Sequence, residues 1–171
     1  MKLITGLGNP GKKYRNTRHN VGFQFLSLLK EEEGFPESKF ERRFNGEVSR
    51  KGDFFLLKPL GFMNNSGDSV AALSHYYKIE PQNILVSHDD SDIPLGKIKI
   101  EKGRGSAGHR GVESIINRLG TKSFYRLRIG VGRDPKEKAG EIVLSPFSKE
   151  EEEIVENTLR EALEEIKKEG F

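Results

Sequence analysis

The feature that most constrains this chain is the way its apolar residues change period. Short runs that read as strands alternate with longer stretches in which apolar residues recur at helical spacing. Lys2–Thr5 is a β-rich run that ends at glycine. Val21, Phe25, Leu28 and Leu29 then fall on one helical face, closed by Gly34 and Pro36. Gly46–Arg50 and Asp53–Leu57 read as the two strands of a hairpin turning at Lys51-Gly52. Ser66, Val70, Leu73 and Tyr77 give a second helical stripe, and Asn83–Ser87 reads as a buried strand. Lys97–Glu101 alternates charge with isoleucine, as a half-exposed strand does, before Val112, Ile115, Ile116 and Leu119 mark a third helix. Arg126–Gly132 alternates as a strand, and Ile142–Leu144 reads as a last short one. The final helix opens at a capping box, Ser148 with Glu151, and carries Ile154, Val155, Leu159, Ala162, Leu163 and Ile166 on its apolar face. This alternation implies an α/β fold: one three-layer domain over residues 1–171, with a twisted sheet flanked by helices. The hairpin makes that sheet mixed rather than all-parallel, and the C-terminal amphipathic helix is one of its covers.

At 171 residues the chain can bury one sizeable core and has too few residues for two comfortable ones. It contains no cysteine, which excludes disulfides, thiolate metal sites and a cysteine nucleophile. The apolar run after Met1 is far too short for a signal peptide or a membrane span, so a cytoplasmic protein without membrane contact is expected. Charge is unevenly placed. Residues 148–171 hold nine glutamates against four basic residues, a net −5, which leaves +8 for the rest of a chain whose total is +3. A basic body with an acidic tail helix suits a polyanionic partner such as nucleic acid.

Gly6-Leu7-Gly8-Asn9-Pro10-Gly11 matches the dinucleotide pattern G-x-G-x-x-G and follows a strand. That pattern works only if a helix opens at the glycines and turns its N-terminal amides to a pyrophosphate. Here Pro10 sits inside the loop, and Lys12 to His19 has no apolar helical stripe. The acid that should end the next strand is also missing, because that strand ends Leu57-Lys58-Pro59. The glycines instead let the backbone turn tightly and set Asn9 at a strand's end.

Four segments carry polar groups with no obvious structural role. They are Asn9 with Thr17-Arg18-His19-Asn20, Phe62 to Gly67, His88 to Asp92, and Gly103 to Gly111. If the strands before them are parallel neighbours, their C-terminal ends share one rim, where open α/β sheets place ligands. An imidazole titrates at about 6.5 when unperturbed, so His19 can serve as a general base near neutral pH. A carboxylate such as Asp89 can orient that ring, and Asn9 and Asn64 can donate to a carbonyl oxygen or hold a water. Taken one at a time, each has an ordinary alternative: an Asn before a helix is usually a cap, and a lone His is usually a surface or core residue. Ser66 lies outside any G-x-S-x-G elbow, so it is a poor nucleophile candidate. His88, Asp89, Asp90 and Asp92 do not follow calcium-loop spacing, and no H-E-x-x-H occurs, so no metal is expected.

Together the segments resemble a family. Gly6 to Gly11, Tyr14 and Thr17-Arg18-His19-Asn20-Val21-Gly22 closely resemble the opening signature of bacterial-type peptidyl-tRNA hydrolases. Lys58-Pro59, Phe62-Met63-Asn64 and Ser66-Gly67 are similar to its second block, and His88-Asp89-Asp90, Asp92, Pro94 and Gly96 to its third. Gly105 to His109, Gly111 and Arg126 to Gly130 complete the set, so the likeness spans nearly the whole chain in order. The resemblance implies hydrolysis of the ester between a peptide and the 3′ end of tRNA, by a monomer that needs no metal or organic cofactor. It implies that His19 is the base and Asp89 its partner, with Asn9 and Asn64 at the peptide backbone or the water. Met63 and Tyr14 would lie beside the pocket, His109 would belong to the tRNA-binding segment, and Lys102 and Arg128 would lie near the clamp on the tRNA 5′-phosphate. Two positions depart from the family: Arg110 stands where an asparagine is usual, and Glu101 where some members carry a basic phosphate ligand. A non-catalytic RNA-binding relative is the main alternative, and the retained His19, Asp89, Asn9 and Asn64 argue against it.

Overall fold

The computed structural model describes residues 1–132 and 143–171. Its strands there are β1 (Lys2–Gly6), β2 (Lys39–Glu41), β3 (Gly46–Lys51), β4 (Phe54–Pro59), β5 (Ile84–Asp90), β6 (Ile98–Lys102) and β7 (Tyr125–Gly130). Its helices are α1 (Val21–Glu32), α2 (Ser66–Tyr76), α3 (Arg110–Leu119) and α4 (Lys149–Lys168). The strands form one sheet in the order β2-β3-β4-β1-β5-β7-β6. The four central strands run parallel, and the outer pairings β2 with β3, β3 with β4, and β6 with β7 are antiparallel. The sheet is therefore mixed, and the hairpin at Lys51-Gly52 is present.

Side-chain alternation divides the apolar residues between two cores. Ile4, Leu85, Leu127 and Ile129 pack with Val21 and Phe25 of α1 and Val155, Leu159 and Ile166 of α4. Leu3, Leu57 and Val86 face the other way, onto Val70 and Leu73 of α2 and Val112 and Ile115 of α3. Because the central strands are parallel, they all end on one rim, at Gly6, Pro59, Asp90 and Gly130. The start of α1 sits directly on this rim. A side chain at Gly22 would bring its Cβ within 2.5 Å of the Ser87 carbonyl oxygen and 2.6 Å of the Leu7 backbone, so only glycine allows the approach. That close seating carries His19 to the strand ends.

Some boundaries differ from the periodicity. β5 runs on to Asp90, because His88 and Asp89 keep register with Arg128 and Ile129 although they are polar. β2 is a three-residue edge strand whose Phe40 is exposed, so it has no buried face to leave a pattern. Ile142 lies outside the described residues; Val143 and Leu144 form a turn, and the bridge nearby joins Pro146 to Thr17. Ile154 is 42% exposed and lies off the buried stripe of α4, whose other expected residues are buried. The Ser148–Glu151 capping box forms in both directions.

Candidate active site

No helix opens at the N-terminal glycines. The chain passes through two short 3-10 turns, Lys12–Tyr14 and Arg18–Asn20, before α1 begins. The helix terminus that a dinucleotide pyrophosphate needs is absent from this loop. Asn20 stands just before α1, yet its side chain makes no cap. It reaches across to Asn9, accepting from the Asn9 N–H at 2.8 Å and donating to the Asn9 carbonyl at 2.9 Å. The glycine loop is thereby fastened to the foot of α1. The side-chain oxygen of Asn9 accepts from the Met63 N–H at 2.9 Å, which leaves its NH2 as the group able to donate into the cleft.

Asp89 is the centre of the constellation. Only 2% of its side chain is exposed, and it lies between two imidazoles. His19 Nδ1 stands 2.9 and 2.8 Å from its two oxygens, and His109 Nε2 stands 2.8 Å from one of them. The hydrogen positions follow from the partners. His109 is the N-cap of α3, and its Nδ1 accepts from the Gly111 and Val112 N–H groups at 3.2 and 3.3 Å. A neutral His109 therefore carries its hydrogen on Nε2 and donates it to Asp89. Burial alone would raise the Asp89 pKa, but His109 and His19 outweigh it and hold the carboxyl well below the usual carboxylate range. An ionised Asp89 accepts the His19 Nδ1 hydrogen as well, so Nε2 of a neutral His19 is a bare lone pair. The His19 ring is 14% exposed and lines the cleft. A correctly held imidazole with Nε2 free is what abstraction of a proton from water requires.

Beneath this pair lies a third imidazole. His88 is buried and donates Nδ1 to the Asp89 carbonyl at 2.8 Å, and its ring meets His109 edge-on at 4.6 Å between centroids. Its Nε2 has no partner among the described residues. Burial first, then the neighbouring His109, push its pKa well below the ordinary histidine value. The neutral ring acts as packing under the site.

These groups open into a cleft of about 400 Å³. Asn9, Tyr14, His19, Asp89, His109 and Arg110 all line it. Arg110, at the first position of α3, is exposed there and makes no hydrogen bond or ion pair among the described residues. Met63 is buried behind the wall, where its sulfur approaches Gly111 so closely that a Cβ there would come within 2.5 Å of it. Asn64 is exposed in the 3-10 turn Met63–Asn65 and is not among the lining residues. Lys102 pairs in register with Tyr125, while Ile129 pairs with Asp89. Those four residues of strand set Lys102 about 13 Å back along the sheet from the rim. Arg128 lies near the rim but is 13% exposed and engaged, its Nε on Asp90 at 2.8 Å and a terminal nitrogen on Glu101 at 2.6 Å. Glu101 also accepts from Arg104 at 3.0 Å. Burial would raise the Glu101 pKa, and the two guanidiniums, Arg128 foremost, bring it below the ordinary value.

His19, Asp89 and His109 offer ligand atoms within 4.8 Å of one another, a spacing that a metal can use. The donor set does not suit one. Ligation through His109 Nε2 would force the hydrogen onto Nδ1 and break the cap on Gly111 and Val112.

Reading the residues in order misses several parts of this arrangement. Val143 and Leu144 form part of the cleft wall. The Val143 carbonyl accepts the His19 N–H at 2.7 Å. Asn20 braces the glycine loop where position alone suggests a cap, and no local pattern distinguishes the two. Arg18 is buried, which nothing in a polar Thr-Arg-His-Asn run signals.

The chain matches the peptidyl-tRNA hydrolase family model over residues 3–169. It is 49% identical over 149 residues to a Coxiella burnetii peptidyl-tRNA hydrolase, covering 86% of this chain and 79% of the relative. It is 52% identical over 138 residues to that of Neisseria meningitidis, covering 77% and 70%. A crystal structure of peptidyl-tRNA hydrolase from Acinetobacter baumannii superposes with a TM-score of 0.91 at 37% identity, covering 98% of this chain and 87% of the other. By sequence over nearly its full length, and by fold, the chain belongs to the peptidyl-tRNA hydrolase family.

Proposed function

We propose that the protein hydrolyses the ester between a peptide and the 3′ end of tRNA, freeing tRNA and peptide for reuse in translation, with His19 as the general base. The observation that carries this reading is the oriented imidazole. His19 turns Nδ1 to a buried carboxylate, which His109 also holds, and so keeps Nε2 for the cleft. In the proposed sequence Nε2 takes a proton from water as the oxygen bonds to the ester carbonyl carbon. Asn9 donates its free NH2 to the developing oxyanion. Asp89 stabilises the imidazolium without taking its proton. The tetrahedral intermediate collapses with cleavage of the carbon–oxygen bond to the ribose, and the imidazolium returns the proton to the leaving 3′-oxygen. No covalent enzyme intermediate, metal or organic cofactor enters. An ester permits this economy because an alkoxide leaves far more readily than the amide anion that an unprotonated amide would have to expel.

Substrate contacts follow from the cleft. Tyr14 stands at the wall, Met63 backs the wall from the core and holds the Asn9 side chain through its N–H, and Asn64 is proposed to meet the peptide from its exposed turn. Arg110 is free to contact a phosphate near the acceptor end, and His109 borders that path. Of the two residues proposed for the 5′-phosphate, Lys102 is exposed and keeps its ammonium 5.0 Å from the Tyr125 ring centroid. Arg128 can serve only by exchanging Glu101 for phosphate. No helix among the described residues is long and apolar enough to cross a membrane, and a cytoplasmic monomer is proposed.

The test is incubation of the purified protein with an N-blocked aminoacyl-tRNA. Release of the blocked amino acid and of tRNA with a free 3′-hydroxyl is expected, at a rate unchanged by a chelator. Binding of tRNA with no release would support the non-catalytic RNA-binding reading instead. Activity lost to a chelator and restored by a divalent ion would overturn the metal-free scheme.

A further inference from the structure

We propose that Arg18 is a positioning residue for hydrolysis: gripped by Glu151, it locks the His19 loop to the first turn of α4 and so holds His19 on Asp89. The inference rests on the reading of His19 as the base. Arg18 is only 8% exposed, in a protein whose other cations mostly face solvent. Its guanidinium uses every arm. Nε donates to Ser145 Oγ at 3.2 Å and one terminal nitrogen to the Val131 carbonyl at 3.1 Å. The other terminal nitrogen donates to both oxygens of Glu151, at 3.0 and 2.8 Å. The guanidinium carbon also lies 4.8 Å from the centroid of the Phe147 ring.

These anchors belong to three separate stretches: the exit of β7, the segment leading to α4, and α4 itself. Backbone contacts tie the His19 loop to the second of these stretches as well. The Arg18 N–H donates to the Ser145 carbonyl at 3.0 Å, the His19 N–H to the Val143 carbonyl at 2.7 Å, and Thr17 bridges Pro146. Glu151 has a second duty, accepting the Ser148 N–H at 2.8 Å in the capping box. One carboxylate therefore fixes both the start of α4 and the residue before the base. A guanidinium spreads its donors over three nitrogens and so spans acceptors this far apart, whereas an ammonium carries its three donors on one atom.

The consequence for chemistry lies in distance. The two His19–Asp89 contacts are at hydrogen-bond length, and the base must also meet a water and a carbonyl carbon. A displacement of about 1 Å at such a centre can cost on the order of 10²-fold in rate. Arg18 touches none of the reacting groups, so it acts through what it holds in place, His19 foremost. If Arg18 were only a staple between elements, its loss would lower stability and leave the folded enzyme's turnover intact.

The experiment compares Arg18→Gln, Arg18→Lys and Glu151→Gln with wild type in single-turnover hydrolysis of N-blocked aminoacyl-tRNA, well below each Tm. Arg18→Gln is expected to lower kcat on the order of 10- to 100-fold with KM nearly unchanged. Arg18→Lys should restore part of the loss. Glu151→Gln, which keeps a capping-box side chain, should show a smaller fall of the same kind. The nitrogen resonances of His19 should change from a single Nδ1–H form to a mixture of tautomers. Arg18→Gln combined with His19→Ala should be no slower than His19→Ala alone, because the two act through one group. Lower Tm with wild-type kcat and wild-type His19 resonances would overturn the proposal. Should Arg18→Gln fail to fold, Glu151→Gln decides by the same measurements. If His19→Ala itself kept wild-type turnover, the base assignment would fall, while the His19 resonances would still report whether Arg18 sets the ring.

Discussion

Asp89 and Asp90 are neighbours at the end of β5, and strand alternation turns them to opposite faces of the sheet. Asp89 is held by two imidazoles, His19 and His109. Asp90 is held by a guanidinium, Arg128, which Glu101 grips from the other side and which Arg104 continues as an ion-pair chain. The partners of Asp89 are imidazoles, a type of group that can gain or lose a proton near neutral pH, whereas the partner of Asp90 is a guanidinium, which keeps its charge. The first arrangement suits the proton transfer proposed for His19, and the second keeps charge fixed. A constellation of acids and bases is therefore read by what each acid is paired with, and sequence adjacency says little about it.

The largest expected effect comes from breaking the first arrangement. Asp89→Asn keeps the shape but can present an NH2 to His19 Nδ1, which favours the tautomer with hydrogen on Nε2. A fall in kcat on the order of 10³-fold is expected, with tRNA affinity nearly unchanged, measured by single-turnover release and filter binding. Wild-type turnover would mean that Asp89 does no more than Asp90.

Breaking the second arrangement should cost stability first. Arg128→Met leaves Asp90 and Glu101 without their shared cation, at a cost of about 3 kcal/mol in denaturant unfolding. A smaller cost would show that the chain of ion pairs is screened by solvent. Loss of tRNA affinity beyond the loss of stability would show that Arg128 also meets phosphate.

The histidine beneath the site gives a smaller effect with a definite sign. The folded-state pKa of His88 lies below its ordinary value of 6.5. As pH falls through that value the unfolded chain takes up a proton that the folded protein refuses, so stability is full above it and erodes below. Asp89, also depressed, adds its own loss only below its ordinary value of 3.8. Tm should therefore fall between about pH 7 and 5, and His88→Gln should flatten that slope. An equally steep slope in the variant would place the titrating group elsewhere.

The smallest effect concerns Arg110. Arg110→Ala should weaken tRNA binding and reduce the slope of log affinity against log salt by about one phosphate contact, with turnover at saturating substrate nearly intact. An unchanged slope would remove Arg110 from the RNA-binding surface.

How much of this can be read from residues alone depends on what fixes each part. Helices with one buried face, such as α1 and α3, write their period into the chain, and β4, apolar toward both cores, shows as a short unbroken run; these are legible. β2 has no buried face, and the polar end of β5 hides a strand that its neighbours hold in register. Within the site, the residue types of His19, Asp89 and Asn9 and the resemblance that joins them point to one rim. Their hydrogen assignment does not follow, because it rests on the cap that His109 makes. Glu101 looks like a lost basic ligand, and its position shows the partner that takes up Arg128. Lys102 is placed by type, but how far along a strand a residue sits depends on register, which a single chain's period does not state. Arg18 is invisible for a related reason: burial of an arginine depends on acceptors at Val131, Ser145 and Glu151, far away in the chain.

In the proposed reaction the bare Nε2 of His19 draws the proton from the attacking water. The most direct measurement is single-turnover release of the blocked amino acid from N-blocked aminoacyl-tRNA by wild type and His19→Ala, with tRNA affinity measured in parallel. His19→Ala is expected to lose at least about 10²-fold in the rate of release and to keep an affinity close to wild type. Wild-type release by His19→Ala would contradict this role of His19.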